Sequence, residues 1–180
     1  RRSKRGAIDF DFPEAKIILN KDGDVVDIKP YEWRISNKII EEFMLVSNET
    51  IAEHFFWLNI PFVYRIHETP ASEKIETLNK FISTFGYLIK GEMDNVHPKA
   101  LQSIIKDIHG KTEEKAISTI MLRSLKQARY SPDCVGHFGL AAKYYSHFTS
   151  PIRRYPDLQI HRIIKEFLNN KLNSKRQEQL

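Results

Sequence analysis

The sequence contains one cysteine, Cys134, and no long apolar run. A single cysteine excludes an intrachain disulfide and a cysteine-based zinc cluster, and it suits a reducing compartment. No stretch approaches the roughly 18 apolar residues that a membrane-spanning helix needs. The basic N-terminal stretch RRSKRGAIDF lacks the apolar segment that follows the charged end of a secretory signal. These absences predict a cytoplasmic protein without a membrane partner.

Common catalytic signatures are absent as well. The sequence has no Walker loop, no GxSxG nucleophile elbow, no HExxH zinc motif, no internal repeat and no low-complexity tract. A length of 180 residues fits one domain or a large piece of one. The first residue is Arg1 rather than methionine, which favours a fragment of a longer protein. We therefore expect a single domain over residues 1–180.

Basic residues predominate, and they are concentrated near the C-terminus. The formal net charge is +5 and the isoelectric point is about 9.2. Residues 149–180 contain 7 Lys and Arg against 3 Asp and Glu. A concentrated basic segment favours a polyanionic partner, with nucleic acid as the first class to consider. The alternative is a basic surface without a specific partner.

Hydrophobic periodicity and turn residues predict an α+β fold, in which antiparallel strands near the N-terminus pack with several helices. The predicted strands cover residues 7–11, 15–20, 25–28 and 62–67. The predicted helices cover residues 36–58, 72–85, 98–109, 112–126 and 150–172. Ser72 is expected to cap its helix, and the polar tail from residue 173 is expected to fray.

The longest predicted helix, residues 36–58, carries a broad apolar stripe. Its width predicts a largely buried helix, and its members are Ile39, Ile40, Phe43, Met44, Val46, Ile51, Phe55 and Phe56. Glu41 and Glu42 interrupt the stripe near the N-terminal end of the helix. An acidic residue early in a helix usually complements the helix dipole, so both have an ordinary structural explanation. Asn48 lies on the same side of the helix as Glu41.

The predicted strand over residues 7–11 places two carboxylates on one face and aromatic rings on the other. Asp9 and Asp11 lie two residues apart, so their side chains point the same way. They are candidates to hold a divalent cation, although exposed carboxylates near basic neighbours are commoner. Phe10 and Phe12 occupy the opposite face. Core packing is the default reading for both rings, and base stacking is the functional one.

The triplet at residues 149–151 has the features of a helix start. Ser150 is suited to the N-cap, and Pro151 suits the first helical position because no backbone donor is lost there. Arg153 and Arg154 would then fall in the first turn, where the helix dipole already supplies positive charge. This arrangement is favourable when an anion such as phosphate binds there. The alternative is a solvated arginine pair beside an ordinary cap.

The run from residue 137 to residue 161, HFGLAAKYYSHFTSPIRRYPDLQIH, resembles the signature of the ribonuclease II/ribonuclease R family of 3′→5′ exoribonucleases. The bacterial ribonuclease R branch is the most similar, and no position in the run departs from the pattern. The matching residues are His137, Phe138, Gly139, Leu140, Tyr145, Thr149, Ser150, Pro151, Arg153, Arg154, Tyr155, Asp157 and His161. The resemblance covers almost the whole chain and implies that residues 1–180 form the C-terminal two-thirds of an RNB catalytic domain.

The resemblance implies part of a processive, sequence-nonspecific exoribonuclease that uses Mg²⁺ and acts on single-stranded RNA. The family releases nucleoside 5′-monophosphates, and a cytoplasmic monomer is expected. Its Mg²⁺ ligands come from an aspartate-rich motif upstream of the segment that matches RGAIDFD, so no metal ligand is assigned within residues 1–180. The family's cold-shock and S1 modules are not represented either. A non-catalytic fragment that binds single-stranded RNA, or a pseudoenzyme, is the alternative.

The resemblance also assigns roles in the run that contains the arginine pair. Arg153 matches the arginine that contacts the scissile or neighbouring phosphate, and Arg154 matches a position of general positive charge. Tyr145 and Tyr155 match aromatic residues near the pocket, with core packing as the alternative for one of them. Ser150 is grouped with these RNA-binding candidates.

Three further matches lie earlier in the chain. Glu41 matches a pocket acid that positions the terminal nucleotide, and its neighbour Glu42 is the other candidate to face the site. Phe10 lies near the position at which the family stacks an aromatic ring on a base. His67, in the run YRIHETP, resembles the RIHD/E element of the family. A histidine at a strand end is more often structural than functional.

Overall fold

The structure is a computed structural model that describes residues 2–10 and 14–179. Its helices are α1 (Arg2–Arg5), α2 (Ile35–Trp57), α3 (Ser72–Ser83), α4 (Pro98–Ile108), α5 (Glu114–Ser124), α6 (Tyr155–Leu168) and α7 (Ser174–Gln177). Its strands are β1 (Ala15–Leu19), β2 (Val25–Pro30), β3 (Tyr64–Ile66) and β4 (Arg129–Ser131). Short 3₁₀ turns cover Met93–Asn95 and Phe138–Leu140. This mixture of helices with two small antiparallel sheets confirms the predicted α+β class.

Strands β1 and β2 form an antiparallel hairpin, as the sequence predicts. The side chain of Asn20 closes its turn by accepting hydrogen bonds from the backbone N–H groups of Asp22 (2.9 Å) and Asp24 (2.8 Å). This side-chain-to-backbone bonding is the reason that asparagine is favoured in turns. Every residue of β2 is exposed, so the hairpin stands away from the core.

The second sheet pairs β3 with β4 in antiparallel register, with Tyr64 opposite Ser131. Strand β4 was not predicted, because three residues without an apolar alternation give no periodic signal. The predicted strand over residues 7–11 is wrong for the described residues 7–10, which have no regular secondary structure. There the backbone N–H of Ile8 donates to the carbonyl of Gly139 (2.7 Å), an isolated contact rather than a ladder.

Helices α3, α4 and α5 pack around the first of two hydrophobic cores. Their bounds were predicted to within about two residues, although α3 has Ala71 rather than Ser72 at its N-cap. Inward-facing apolar residues recur at helical spacing, as expected for amphipathic helices. The buried members are Ile75, Leu78 and Ile82 of α3, Leu101, Ile104 and Ile108 of α4, and Ile117 and Met121 of α5.

The second core joins the C-terminal half of α2 to β3 and α6. Phe55 is almost fully buried, and its ring stacks on that of Phe62 with centroids 4.8 Å apart. Ala52 of α2 and Ile160 of α6 are completely buried in the same cluster. This core fixes α2 against α6, and these two helices carry the glutamates and the arginine-bearing loop of the predicted site.

The first half of α2 is exposed, so the prediction of a largely buried helix is wrong for this half. Phe43 is 65% exposed and Ile40 58% exposed, whereas the buried residues of α2 are Asn48, Ala52 and Phe55. None of the elements in the described chain covers the apolar stripe before Asn48. None of the helices over residues 2–10 and 14–179 has the length and apolarity needed to cross a bilayer.

Candidate nucleic-acid interface

The loop that carries the arginine pair is held by the buried carboxylate of Asp157. This side chain is completely buried, and its Oδ2 accepts from the backbone N–H of Ser150 (2.8 Å) and from Nη2 of Arg154 (2.7 Å). Asp157 lies in the first turn of α6, where a negative charge complements the helix dipole. The carboxylate therefore draws the loop back onto the start of the helix.

Helix α6 begins at Tyr155, so the prediction of a helix start at Ser150 is wrong. Arg154 occupies the N-cap position with extended backbone, and Pro156 lies in the first turn. Ser150 instead donates its backbone N–H to Asp157, at the far end of a turn that precedes the helix. The two arginines consequently lie before the helix rather than inside its first turn. The negative charge beside Arg154, which the sequence predicted for a bound anion, belongs to the Asp157 carboxylate.

The two arginines have different environments. Arg154 is half-buried and ion-paired with Asp157. Arg153 is exposed, and among the described residues it joins no ion pair within 4 Å. Its neighbour Ile152 is fully exposed, so the tip of this loop points into solvent. Arg154 therefore stabilises the loop, and Arg153 is left available to bind an anion.

The two predicted tyrosines are also placed differently. Tyr145 is buried, and its hydroxyl accepts a hydrogen bond from Nδ2 of Asn48 (3.2 Å). Burial raises the pKa of the Tyr145 phenol above its ordinary value. Tyr155 is 67% exposed, with the Arg162 guanidinium 5.9 Å from its ring centroid. Tyr155 is thus the ring that a base can reach, and Tyr145 packs within the protein.

Asn48 connects the glutamate-bearing helix to the run that precedes the arginine loop. Its side chain is buried, and its Oδ1 accepts from the backbone N–H of Phe148 (2.9 Å) while its Nδ2 donates to Tyr145. Both ends of the amide are therefore satisfied across a sequence separation of about 100 residues. This pair of bonds fixes the position of α2 relative to residues 145–148.

Glu41 and Glu42 both face the guanidinium of Arg2. Nη2 of Arg2 lies 2.9 Å from Glu42 and 3.7 Å from Glu41, and it is 3.8 Å from the carboxylate of Asp9. Arg2 is mostly buried, with 16% of its side chain exposed. Sequence reasoning missed Arg2, because a basic N-terminal segment gives no signal for a specific partner. The structure thus brings both glutamates and Asp9 to one arginine.

This acidic cluster does not suit a metal ion. A guanidinium lies among its carboxylates, and Asp9 is 82% exposed at its side chain. Over residues 2–10 and 14–179, no group of three or more His, Cys, Asp or Glu side chains is arranged to hold a metal. Asp11, the other carboxylate considered from the sequence, lies outside the described residues, as does Phe12. The described residues therefore offer no Mg²⁺ site.

Phe10 is partly buried and packs against the core formed by α3, α4 and α5. This contact supports core packing for Phe10, which the sequence analysis weighed against base stacking. Of the four rings near the predicted site, only Tyr155 is exposed. The other three pack within the protein: Phe10, Tyr145 and Phe148.

A ladder of aromatic rings runs from His67, which follows β3, to Tyr130 of β4. His67 contacts His137 with ring centroids 5.0 Å apart, and His137 contacts Tyr145 at 5.1 Å. Tyr145 in turn contacts His147 at 5.8 Å, and Nδ1 of His147 is 2.8 Å from the hydroxyl of Tyr130. The sequence analysis did not identify this ladder, because its members are spread over residues 67–147.

Burial keeps the histidines of the ladder neutral near pH 7. Burial, followed by the charges of His67 and Arg65, lowers the pKa of His137 to about 3. Burial and the neighbouring charge of Arg154 lower the pKa of His147 to about 4. The charge of Arg153 lowers the pKa of His147 further, which places the exposed arginine in the electrostatic environment of this ladder.

Gly139 permits a close approach to His67. Its backbone N–H donates to Nδ1 of His67 (3.2 Å), and a Cβ at residue 139 would lie 3.0 Å from the same nitrogen. A larger side chain at this position would displace the imidazole. The His67 match to the RIHD/E element therefore has a structural explanation. The imidazole holds residues 137–145, which we call the glycine-bearing segment, against the end of β3.

The sequence and the fold can be compared with known proteins. A family model described as the RNB domain matches residues 1–170. Ribonuclease R 1 of Lactococcus lactis subsp. lactis is 50% identical over 92% of this chain and 20% of that protein. Ribonuclease R of Aquifex aeolicus is 45% identical over 93% of this chain and 24% of that protein.

The fold is similar to that of the structure titled Mycoplasma genitalium RNase R in complex with ribose methylated single-stranded RNA. The TM-score is 0.90 at 29% sequence identity, over 99% of this chain and 28% of that chain. The chain spans about a fifth to a quarter of the length of the curated relatives it matches. Because the family model matches nearly the whole chain, the chain belongs to the RNB domain family.

Proposed function

We propose that the protein is a processive, sequence-nonspecific 3′→5′ exoribonuclease that degrades single-stranded RNA to nucleoside 5′-monophosphates. The observation that carries this proposal is the exposed guanidinium of Arg153 on a loop fixed by Asp157. Membership of the RNB domain family and similarity to proteins named ribonuclease R support it. The net charge of +5 suits a polyanionic substrate.

Arg153 is the residue that we assign to the chemical step. Negative charge grows on the phosphorus as water attacks, and a fixed positive side chain stabilises that charge. Arg154 contributes through its field, because its guanidinium is already committed to Asp157. Tyr155 supplies a stacking surface, and stacking is tolerant of sequence because every base has a π face. Ser150 orients the loop through its bond to Asp157.

The glutamates of α2 are assigned to positioning. Glu41 and Glu42 are partly exposed carboxylates held by Arg2, and carboxylates accept hydrogen bonds from the hydroxyls of a terminal ribose. Such a contact would locate the 3′ end of the strand without reading its base. Asn48 connects these acids to the run that leads to Arg153.

We propose that the Mg²⁺ ligands are carboxylates outside these 180 residues, as membership of the RNB domain family implies. When bound, Mg²⁺ activates the attacking water and stabilises the leaving oxygen. We also propose that residues 1–180 are the C-terminal two-thirds of the RNB catalytic domain, whose family model matches residues 1–170. We also propose a cytoplasmic monomer.

The second candidate is a protein that binds single-stranded RNA without cutting it, as a fragment or a pseudoenzyme. The observation that favours it is the acidic cluster around Arg2, in which a guanidinium occupies the place that a cation would need.

The test is the degradation of a 5′-labelled single-stranded RNA by the full-length protein with Mg²⁺ at low salt, with binding recorded in parallel. The exonuclease gives a ladder of products shortened from the 3′ end, and residues 1–180 alone bind without shortening the RNA. Binding without shortening by the full-length protein would favour the second candidate.

Arg153→Ala tests the assignment of the chemical step. We expect the single-turnover rate to fall by about 100-fold or more, as it does when a group that stabilises transition-state charge is removed, with little change in RNA affinity. The matched control is Arg123→Ala, which removes an exposed arginine from α5. A normal single-turnover rate with a collapse of affinity would contradict the assignment.

A further inference from the structure

A groove of about 620 Å³ is lined in part by residues 134–144, which precede the arginine loop in the sequence. It is bounded by the end of α1, the C-terminal end of α2, the residues after β3, the start of α4 and residues 134–144. The basic side chains that line it are Arg5, Lys99 and Lys143. We call it the Lys99–Lys143 groove.

Within the described part of the chain, no aspartate or glutamate lines this groove. Arg5 is neutralised by a bidentate contact with Glu49 at 2.7 and 2.6 Å. Lys99 and Lys143 are exposed, and across the described ranges 2–10 and 14–179 neither has a carboxylate within 4 Å. Two unpaired lysines in a groove without described acids favour a negatively charged ligand.

The histidines of the groove do not change this balance. Burial, followed by the charge of His67, holds the pKa of His137 at about 3, so this side chain is neutral at pH 7. His97 caps α4 by accepting the backbone N–H of Lys99 at its Nδ1 (3.1 Å). Burial also lowers the pKa of His67, so neither it nor His137 adds charge at neutral pH. Lys99 and Lys143 are therefore the unpaired cations of the described lining.

The packing beneath Lys99 is unusually close. Gly6 has a φ of +102°, and a Cβ there would lie 2.9 Å from the backbone nitrogen of Lys99. Only glycine combines this left-handed conformation with so close an approach. The contact places Arg5, with its partner Glu49, beside the start of α4 and so defines one wall of the groove.

An aromatic surface lies beside Lys143. Phe56 is 37% exposed, and its ring centroid is 4.7 Å from that of Tyr144. Nζ of Lys143 lies 5.3 Å from the centroid of the Tyr144 ring. Tyr144 itself is 8% exposed, so Phe56 is the ring of this pair that a base can reach. Aromatic rings near positively charged side chains bind bases together with their phosphates in single-strand sites.

The groove is adjacent to the candidate interface. The short helix α1 places Arg2 beside the glutamates of α2 and Arg5 in the wall of the groove. Two consecutive tyrosines also lie at the two surfaces. Tyr144 lines the groove, and Tyr145 hydrogen-bonds to Asn48 at the candidate interface. His137 contacts both sides. The groove and the candidate interface therefore share neighbouring residues of α1 and of residues 137–145.

We propose that the Lys99–Lys143 groove binds the phosphodiester backbone of single-stranded RNA, with Lys99 and Lys143 on phosphates and Phe56 against a base. This inference depends on the proposed function, because it takes RNA as the ligand. It adds a second RNA-contacting surface that is distinct from Arg153 and from the glutamates of α2.

The experiment measures binding of a fluorescent single-stranded RNA to the full-length protein in EDTA, which prevents Mg²⁺-dependent cleavage, over a series of salt concentrations. The variant is Lys99→Ala combined with Lys143→Ala. The matched control is Lys74→Ala combined with Lys80→Ala, which removes two exposed lysines from α3. Thermal melting of each protein checks that the fold is retained.

We expect the groove variant to bind RNA roughly tenfold more weakly at low salt, uniformly across sequences. Each phosphate contact to a single strand contributes about 0.7 to the slope of log K against log salt, so the slope should fall by about 1.4. Lys99→Arg combined with Lys143→Arg should restore both values, since the charge is kept. The α3 control should match the unmodified protein.

Three outcomes would count against the inference. If the groove variant bound RNA with an unchanged salt slope, the groove would not be an RNA-binding site, and the proposed function would stand. Displacement of the RNA by adenosine 5′-monophosphate at equal phosphate concentration, lost only in the groove variant, would assign the groove to free nucleotides. A failure of the unmodified protein to bind RNA would overturn the proposed function as well.

Discussion

Apolar residues at helical spacing occur both in helices α3, α4 and α5 and in the first half of α2. They are buried in the three shorter helices and exposed in that half of α2. Leu78, Leu101 and Ile108 are completely buried, whereas Ile40 is 58% and Phe43 65% exposed. The three shorter helices pack against one another, and no described element covers the start of α2. Periodicity therefore predicts which face of a helix is apolar, but not whether a partner covers it.

The β1–β2 hairpin belongs to the exposed side of this comparison. Val26 is 59% and Ile28 63% exposed, so the hairpin shows the same combination of apolar side chains and solvent exposure. Apolar surface on this scale, extending over a helix and a hairpin, is typical of interaction surfaces rather than of free surfaces. The packed and exposed regions can be distinguished by their response to substitution.

The largest effect is expected in the packed region. Leu101→Ala removes a completely buried side chain of α4 and should lower the free energy of unfolding by about 3 kcal/mol, from lost burial and the cavity left behind. Urea denaturation followed by circular dichroism measures it. Ile40→Ala on the exposed face is the control, with a change of about 0.5 kcal/mol or less. Equal losses of unfolding free energy in the two variants would show that this face of α2 is packed as tightly as α4.

The glycine-bearing segment extends the packed region to residues 137–145. Gly139→Val should lower the free energy of unfolding by about 2 kcal/mol, because the new side chain meets the His67 imidazole. Gly139→Ala should have a smaller effect, since a single Cβ at 3.0 Å needs a shift of a few tenths of an ångström. Equal melting temperatures for the valine variant and the unmodified protein would contradict this prediction.

The pH dependence of stability tests the same segment. The pKa of His137 is about 3 in the folded protein and 6.5 without its environment, so the unfolded chain binds more protons between these values. The associated stability is present above pH 6.5 and is lost as pH falls towards 3.

From pH 7 to pH 5 the loss should be about 2 kcal/mol for His137. Urea midpoints at the two pH values measure it. His137→Asn removes the titrating group while keeping an acceptor for the backbone N–H of Leu140. It should reduce the loss between pH 7 and pH 5 by about the amount assigned to His137, leaving the part that His147 contributes. An unchanged slope in this variant would assign the pH dependence to other groups.

The smallest effect on stability is expected on the exposed face. Phe43→Glu should change the free energy of unfolding of the 180-residue chain by about 0.5 kcal/mol or less, because little apolar contact is lost. It should also reduce any concentration-dependent association, which analytical ultracentrifugation detects. A large loss of stability would mean that this face is packed within the chain.

Much of the fold could be predicted because its signals are local. The bounds of α3, α4 and α5 follow from apolar spacing over about a dozen residues each, and the β1–β2 hairpin follows from Lys21–Gly23 and its flanking strands. The start of α6 could not be predicted in this way. Ser150 and Pro151 have the local features of a helix start, but the tertiary position of Asp157 draws the loop back and moves the start to Tyr155.

The candidate site shows the same division. The sequence indicates Arg153 and Arg154 equally as anion-binding residues. The structure distinguishes them, because Arg154 is ion-paired with Asp157 and Arg153 is exposed. The contact of Arg2 with Glu42 and that of His67 with His137 gave no sequence signal, because the partners lie tens of residues apart along the chain.

By itself the sequence determined the α+β class, the family and most helix bounds, since these depend on residue identity and short-range spacing. The tertiary structure alone decided which apolar faces are covered, where α6 begins and which arginine is free. Those outcomes depend on contacts between residues distant in the chain, and the energy of such a contact is set by three-dimensional proximity rather than by local pattern.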